Sequence, residues 1–389
     1  MKSYIPLLSQ ATLILLIDLL GLLAGSIVSD LMRLIGIFPW ILLSYPAMLS
    51  ARGAINGVLC GRLSTALHVG LIRSKFRNNT EYFYSLISSI IIISIVIGFL
   101  LGSFTYLISL VIFRYDILKN VIILPTILSA MFLASTISVL TTITLAIFTF
   151  KKGLDPDVIL YPIMSSLADI IVTICYAFLV QALLSFKAGY LLVWSISLSS
   201  IFSSLIIIRM SRTDILKTIT LSILRSMLFV LPIEYVAGVL LTRARGMLGR
   251  YSEIMIIYPV LIDSLGDLGS ALGSITTTNL ALGYFPPSFR SIRYMIVVLT
   301  PLLLVGNIYY FLISVVLGLV SDTIMAKIPF FAGFITIPLV LVIAFIIAII
   351  GYRKGLDPDD YVNPLVSCIA DTIMTGVVVS LLLFLMNKA

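Results

Sequence analysis

The sequence predicts an all-α polytopic membrane protein with about eleven transmembrane helices, arranged as two parallel five-helix repeats joined by a linker helix. Hydrophobic residues make up 60% of the 389 residues, charged residues 11%, and the mean hydropathy is +1.19. That is more apolar surface than a soluble core of this length can bury. Apolar runs of about 20 residues, each able to cross a hydrocarbon core of about 30 Å, recur along the whole chain. We therefore expect a multi-pass protein of the cell membrane, surrounded by lipid.

The expected spans follow one another with short connections, and their order defines three parts of the chain. The first repeat covers residues 1–188, a linker transmembrane helix covers 189–212, and the second repeat covers 213–389. The second span is long enough to be a broken helix or a helix with a re-entrant piece. The spans are expected at 10–32, 38–72, 83–113, 121–149, 159–186, 190–210, 219–242, 252–284, 295–320, 330–350 and 361–386.

Two pairs of similar segments indicate an internal duplication. The stretch "GLDPDVILYPIMSSLAD" at 153–169 returns as "GLDPDDYVNPLVSCIAD" at 355–371, and residues 45–70 align without a gap over 258–283. A five-helix unit has its ends on opposite sides of the membrane. Two copies in the same orientation therefore need one extra crossing, which the span at 190–210 supplies.

The net charge of +8 is explained by membrane orientation rather than by nucleic acid. The basic residues lie in short loops between spans, and cytoplasmic loops are enriched in Lys and Arg. Lys151 and Lys152 precede the first acidic motif as Arg353 and Lys354 precede the second. Both loops are expected on the cytoplasmic side, which favours parallel repeats.

Each acidic motif begins with a turn at the cytoplasmic surface. Glycine and proline break the preceding helix, and aspartates are common in turns and at helix N-termini. Turn formation and helix capping explain this cytoplasmic acidic motif, whose members are Asp155, Asp157, Asp357 and Asp359.

The last aspartate of each motif, Asp169 or Asp371, needs another explanation. A helix starting near the motif carries it roughly 10–18 Å inward, where an ionised carboxylate costs about 2.5–3.5 kcal/mol. Such a side chain faces a partner, a cavity or a substrate. The neighbours at a spacing of four residues are polar and share its helix face. They form two equivalent stripes, Ser165, Asp169 and Thr173, and Ser367, Asp371 and Thr375.

The second span of each repeat adds further polar residues. In the second repeat Asp263 and Asp267 lie four residues apart, Thr278 follows, and several glycines permit close backbone approach or unwinding. The first repeat has Asn56 instead of acidic residues. Its Arg52 and Arg62 are expected to neutralise Asp169, Asp18 or Asp263. Asp18 and Glu234 are also expected inside the membrane, in a structural or a proton-coupling role.

These ligands predict a hard divalent cation. Carboxylate, hydroxyl and amide oxygens, without a cluster of cysteine or histidine, suit Mg²⁺, which keeps part of its water shell. Mn²⁺ and Ca²⁺ remain alternatives. The cation is expected as cargo, and no cofactor is expected.

The segment at 45–70 and the duplicated acidic motif resemble the MgtE-type divalent cation transporters, in particular the solute-carrier branch in which two units are fused. The resemblance implies a membrane transporter rather than an enzyme, with the pathway between two pseudo-symmetric halves. It also implies that the span-five aspartate contacts the ion, which points to Asp169 and Asp371. The family often has Gly-Asn in span two; here Ala54 and Asp267 follow the glycines, so Asn56 is a candidate substitute.

Because the repeat mimics a dimer, the chain can function as a monomer. Coupling to Na⁺ or H⁺ and the direction of transport stay open.

Two other classes of function share some of these features. A secondary transporter of another solute also has polar residues in its spans. An intramembrane aspartyl protease needs two membrane-embedded aspartates, and "SLGD" at 264–267 is faintly similar to its glycine-containing motif. No Tyr-Asp partner motif accompanies it, and aspartates in equivalent helices fit a symmetric pathway better.

Overall fold

The computed structural model is built of α-helices, and it describes residues 4–113, 120–152, 156–185, 188–210, 214–284, 286, 292–320, 325–355 and 362–386. No strand occurs in these ranges, so the predicted all-α polytopic class is confirmed. The helices are α1 (Tyr4–Asp18), α2 (Gly21–Leu31), α3 (Trp40–His68), α4 (Glu81–Phe113), α5 (Ile123–Lys151), α6 (Pro156–Ser185), α7 (Gly189–Met210), α8 (Asp214–Arg243), α9 (Arg245–Arg250), α10 (Glu253–Ala281), α11 (Ile292–Val320), α12 (Lys327–Arg353) and α13 (Asn363–Met386).

Ten stretches of the described chain are long and apolar enough to cross a membrane. The helix α3 is an eleventh long helix of 29 residues, but it falls outside this set. Its polar side chains lower its hydropathy, although most of its residues are buried by neighbouring helices. A helix shielded from lipid does not need an apolar surface on every side. The expected number of about eleven is thus reached by ten apolar spans and one polar core helix.

The first and second spans differ in their continuity from what the sequence suggests. The first is two helices, because α1 ends at Asp18 and a turn at Leu19 and Leu20 precedes α2. The second span is one continuous helix, α3, despite Pro46 in its second turn. Pro46 lies beyond the first turn, so it removes one hydrogen bond from the helix interior, but the helix continues through it. A broken or re-entrant second span is therefore not observed.

The chain forms two compact units. The continuous unit comprises Leu34–Leu231, and the composite unit comprises Met1–Arg33 together with Pro232–Ala389. The composite unit includes the N-terminal helices because α2 packs against α10, and α1 packs against α10 and α11. These units follow packing, whereas the boundaries 1–188, 189–212 and 213–389 follow the sequence repeat and stay a prediction.

The same packing pattern occurs inside each unit. In the continuous unit α3 packs against α4, α5 and α6, and in the composite unit α10 packs against α11, α12 and α13. The helices α3 and α10 are the second spans of the two repeats. Each unit is therefore organised around its own polar span two, which contacts span five directly.

Candidate functional site

A buried hydrogen bond between span two and span five is present in both units. The hydroxyl oxygens of Tyr45 and Thr173 are 3.1 Å apart, and those of Tyr258 and Thr375 are 2.9 Å apart. The sequence alignment pairs Tyr45 with Tyr258 and places the threonines four residues after the two intramembrane aspartates. The repeated bond holds Asp169 and Asp371 at equivalent positions against span two. It also gives both threonines of the predicted stripes a packing role.

In the composite unit Asp371 lies close to the acidic residues of α10. Its carboxyl group is nearly fully buried and interacts electrostatically with Asp263 and Asp267. The two helices approach closely where Gly266 faces Ser367, since a Cβ atom at Gly266 would lie 2.9 Å from the Ser367 hydroxyl oxygen. The structure thus brings four predicted residues of the second repeat together.

Two further carboxyl groups join this set. Asp18 at the end of α1 is fully buried and interacts with Asp267 and Asp263. Glu234 in α8 is also fully buried and interacts with Asp371. The sequence analysis placed both inside the membrane and expected Arg52 or Arg62 as the partner of Asp18, whereas the charged neighbours of Asp18 in the structure are Asp267 and Asp263. We refer to Asp18, Glu234, Asp263, Asp267 and Asp371 as the acidic cluster.

Carboxyl groups are concentrated in the acidic cluster. Among the described residues, the main charged neighbours of Asp18, Asp267 and Asp371 are other carboxyl groups. Like charges repel strongly where water is excluded, and a bilayer interior adds the cost of burying each charge. A bound cation or bound protons would relieve this repulsion.

Two neighbouring tyrosines border the acidic cluster, and the sequence analysis missed them. Tyr310 interacts electrostatically with Asp18, Asp263 and Asp371, and Tyr309 interacts with Asp18 and with both aspartates of α10. A tyrosine pair in an apolar span is ordinary, so no sequence signal marked them. Their position depends on the packing of α11 against α1 and α10.

The corresponding region of the continuous unit contains a positively charged side chain, Arg52. The fully buried Arg52 guanidinium donates to the Asn56 side-chain oxygen at 2.9 Å and to the Ser94 hydroxyl at 3.4 Å. It also interacts electrostatically with Asp169. Of the three aspartates considered as partners of Arg52, Asp169 is the one with which it interacts electrostatically, while its hydrogen bonds go to Asn56 and Ser94.

Asn56 belongs to the same polar network. Its oxygen accepts from Arg52, and its amide nitrogen donates to the Ser138 hydroxyl at 2.8 Å and to the Met164 carbonyl at 3.5 Å. The side chain therefore links α3 to α5 and α6. Its amide oxygen, the atom expected to bind a metal, already accepts a hydrogen bond from the charged Arg52 guanidinium.

The remaining predicted residues are more scattered. Thr278 is exposed near the end of α10, eleven residues beyond Asp267, and Ser165 is half-buried in α6. Asp157 lies in α6, but its side chain is not described. Asp155, Asp357 and Asp359 lie outside the described residues.

The described side chains of the acidic cluster do not converge as a set of direct metal ligands. In the part of the chain that the structure describes, no three His, Cys, Asp or Glu side chains converge as metal ligands. A cation among these carboxyl groups would keep part of its hydration shell and contact some of them through water. Mg²⁺ is commonly bound in this way, because it dehydrates reluctantly.

One known protein family matches both repeats. The chain matches the family model described as MgtE, divalent cation transporter, over residues 45–179 and again over 258–381. Each match contains spans two to five of one repeat. No curated protein and no solved structure gives a significant match. Because the two matched regions together cover well over half of the chain, this protein belongs to the MgtE family of divalent cation transporters.

Proposed function

We propose that this protein moves Mg²⁺ across the membrane and that Asp263, Asp267 and Asp371 are the side chains that meet the ion. The family establishes a divalent cation as the class of cargo. The observation that supports the site is the acidic cluster itself, in which the half-buried Asp263 and Asp267 of α10 and the buried Asp371 of α13 have one another as neighbours. A divalent cation offsets such charge better than any neutral solute.

Ligand chemistry supports Mg²⁺ over softer metals. The site offers oxygen atoms, with Ser367 at its edge, whereas Zn²⁺ and Cu²⁺ sites normally include histidine or cysteine. Mn²⁺ and Ca²⁺ share the preference for oxygen and are included in the experiment below. Coupling to Na⁺ or H⁺ and the direction of transport are tested with imposed gradients.

The proposal assigns unequal roles to the two repeats. Ser50 and Ala54 occupy the first-repeat positions of Asp263 and Asp267. Asp169 has Arg52 beside it, so its charge is already compensated. Asp169, Asn56, Ser165 and Thr173 are therefore proposed as secondary contributors to ion passage. A pathway between the repeats, used by a single chain, remains the sequence-based prediction.

Flux measurements in proteoliposomes test the assignment. The wild-type protein should carry Mg²⁺, and both Asp371→Asn and Asp267→Asn should reduce the flux at least tenfold. The matched controls are Asp30→Asn, which removes an exposed aspartate that pairs with Arg33 at 2.9 Å, and Ala54→Ser. Both controls should retain the flux. Wild-type rates in both acidic-cluster variants would refute the site.

The same vesicles separate the alternatives. Mn²⁺ and Ca²⁺ are compared with Mg²⁺ in competition, and the flux is repeated with and without a Na⁺ or pH gradient. A secondary transporter of another solute would show no saturable divalent flux. MgtE is a family of transporters, so the family comparison gives the intramembrane protease alternative no support.

A further inference from the structure

We propose that Asp18 is a ligand of the transported divalent cation, and that the N-terminal helix pair thereby completes the ion site of the second repeat. This inference rests on the proposed function. It assigns a role to a helix that precedes both regions matched by the family, the first of which begins at residue 45.

The position of Asp18 follows from the way α2 lies against α10. The two helices run antiparallel with their backbones in close contact, and a Cβ atom at Gly25 would overlap the Ile256 carbonyl oxygen. Three contacts define the register, and each step of four residues back along α2 is matched by four residues forward along α10. The pairs are Ser29 with Ser252, Gly25 with Ile256, and Gly21 with Val260.

Asp18 lies three residues before Gly21, across the turn at Leu19 and Leu20, and Asp263 lies three residues after Val260, so the same register brings Asp18 to the level of Asp263. Electrostatic interactions of Asp18 with Asp263 and with Asp267 agree with that placement. The glycines of α2 are therefore what allows a carboxyl group from the first span to reach the acidic residues of α10. A larger residue at Gly25 would separate the helix backbones.

Asp18 has unused capacity for a ligand. It is fully buried, and neither carboxylate oxygen has a hydrogen-bond partner among the described residues. The nearby Tyr309 hydroxyl is also buried without a hydrogen-bond partner, whereas the Tyr310 hydroxyl donates to the Leu261 carbonyl at 2.6 Å. A buried carboxylate without a partner is expensive, most of all in a membrane. A cation with its bound water would satisfy both groups.

The break in the first span adds to this arrangement. The helix α1 ends at Asp18, and a helix C-terminus carries partial negative charge from its last carbonyl groups. Interrupted membrane helices place such ends next to bound cations.

Metal-dependent thermal unfolding of the full-length protein in detergent tests the inference, with Mg²⁺ as the probe. A ligand that binds the folded state raises the unfolding temperature according to its affinity. Asp18→Asn should raise the Mg²⁺ concentration for half-maximal stabilisation at least tenfold. Without metal, it should unfold at the wild-type temperature or higher, because a like charge has been removed. Asp30→Asn, near the end of α2, should behave as the wild type in both conditions.

The possible results separate this inference from the proposed function. Unchanged Mg²⁺ dependence in Asp18→Asn, together with its loss in Asp371→Asn, would overturn the role of Asp18 and leave the proposed function standing. A loss of stability in metal-free Asp18→Asn would also overturn it, because the carboxyl group would then be a packing element. A wild-type protein that Mg²⁺ does not stabilise, and that carries no Mg²⁺, would refute the proposed function first.

Discussion

Arg52 should be a major determinant of stability in the continuous unit. The change Arg52→Met keeps the length of the side chain and removes its charge. The guanidinium is fully buried, donates hydrogen bonds to Asn56 and Ser94, and lies beside the nearly buried Asp169. Removing one partner of a buried charge pair costs about 3–5 kcal/mol, because the other charge is left uncompensated. We expect a loss of this size in the free energy of unfolding.

A double-mutant cycle separates the charge pair from simple packing. Asp169→Asn should be destabilising alone, but in the Arg52→Met background the second change removes an uncompensated charge. The double variant should therefore be more stable than the sum of the single effects predicts, by about 1–3 kcal/mol. Arg62→Met changes a half-buried arginine of the same helix and should cost about 1 kcal/mol or less.

The assay is reversible unfolding in mixed micelles, followed by circular dichroism, with all variants compared in the same detergent. Strictly additive effects of Arg52→Met and Asp169→Asn would refute the pairing. Equal losses for Arg52→Met and Arg62→Met would show that burial of this arginine has no special energetic consequence.

Three further predictions concern the repeat, the N-terminal helices and the topology. Tyr45→Phe and Tyr258→Phe should each lower the free energy of unfolding by about 0.5–1.5 kcal/mol, because each variant loses an equivalent buried hydrogen bond. In the same unfolding assays Tyr190→Phe, at an exposed site, should be neutral. Gly25→Ala should cost at least about 1–3 kcal/mol by forcing α2 away from α10, whereas Gly36→Ala, with nothing within 4 Å, should cost little; equal thermal stabilities would contradict the close contact. Single cysteines at Lys152 and Lys354, in a protein whose three native cysteines are buried, should both be labelled from the cytoplasmic side; labelling from opposite sides would exclude parallel repeats.

The positions of the spans could be predicted from the sequence because lipid imposes a length and an apolar surface on each helix. The run expected at 83–113 is the helix Glu81–Phe113, and the run expected at 190–210 is Gly189–Met210. Continuity is a different property. No proline interrupts the first span, yet it breaks after Asp18, whereas Pro46 leaves α3 continuous. Composition determines whether a segment suits the membrane, and packing determines whether it stays one helix.

The sequence could predict only those residues of the candidate site that lie in the repeated motifs. Periodicity placed Asp371 and Ser367 on one helix face, and the structure brings both to α10. The neighbours of Asp18 and Glu234 depend on which helices pack together, and no periodicity along one helix contains that information. The N-terminal helices pack with the second repeat, so residues far apart in sequence meet at the acidic cluster.

Charge balance gives a physical reason for the divergence of the two repeats. In the gapless alignment Ser50, Arg52 and Ala54 of α3 correspond to Asp263, Leu265 and Asp267 of α10. Each span two faces a buried span-five aspartate, but α3 supplies a positive charge and α10 adds two negative ones. The first repeat therefore supplies its own compensating charge, while in the second repeat the proposed cation would supply it. It follows that the two equivalent substitutions should change the metal-free stability in opposite directions. Asp169→Asn leaves Arg52 uncompensated and destabilises the first repeat, whereas Asp371→Asn relieves repulsion in the second.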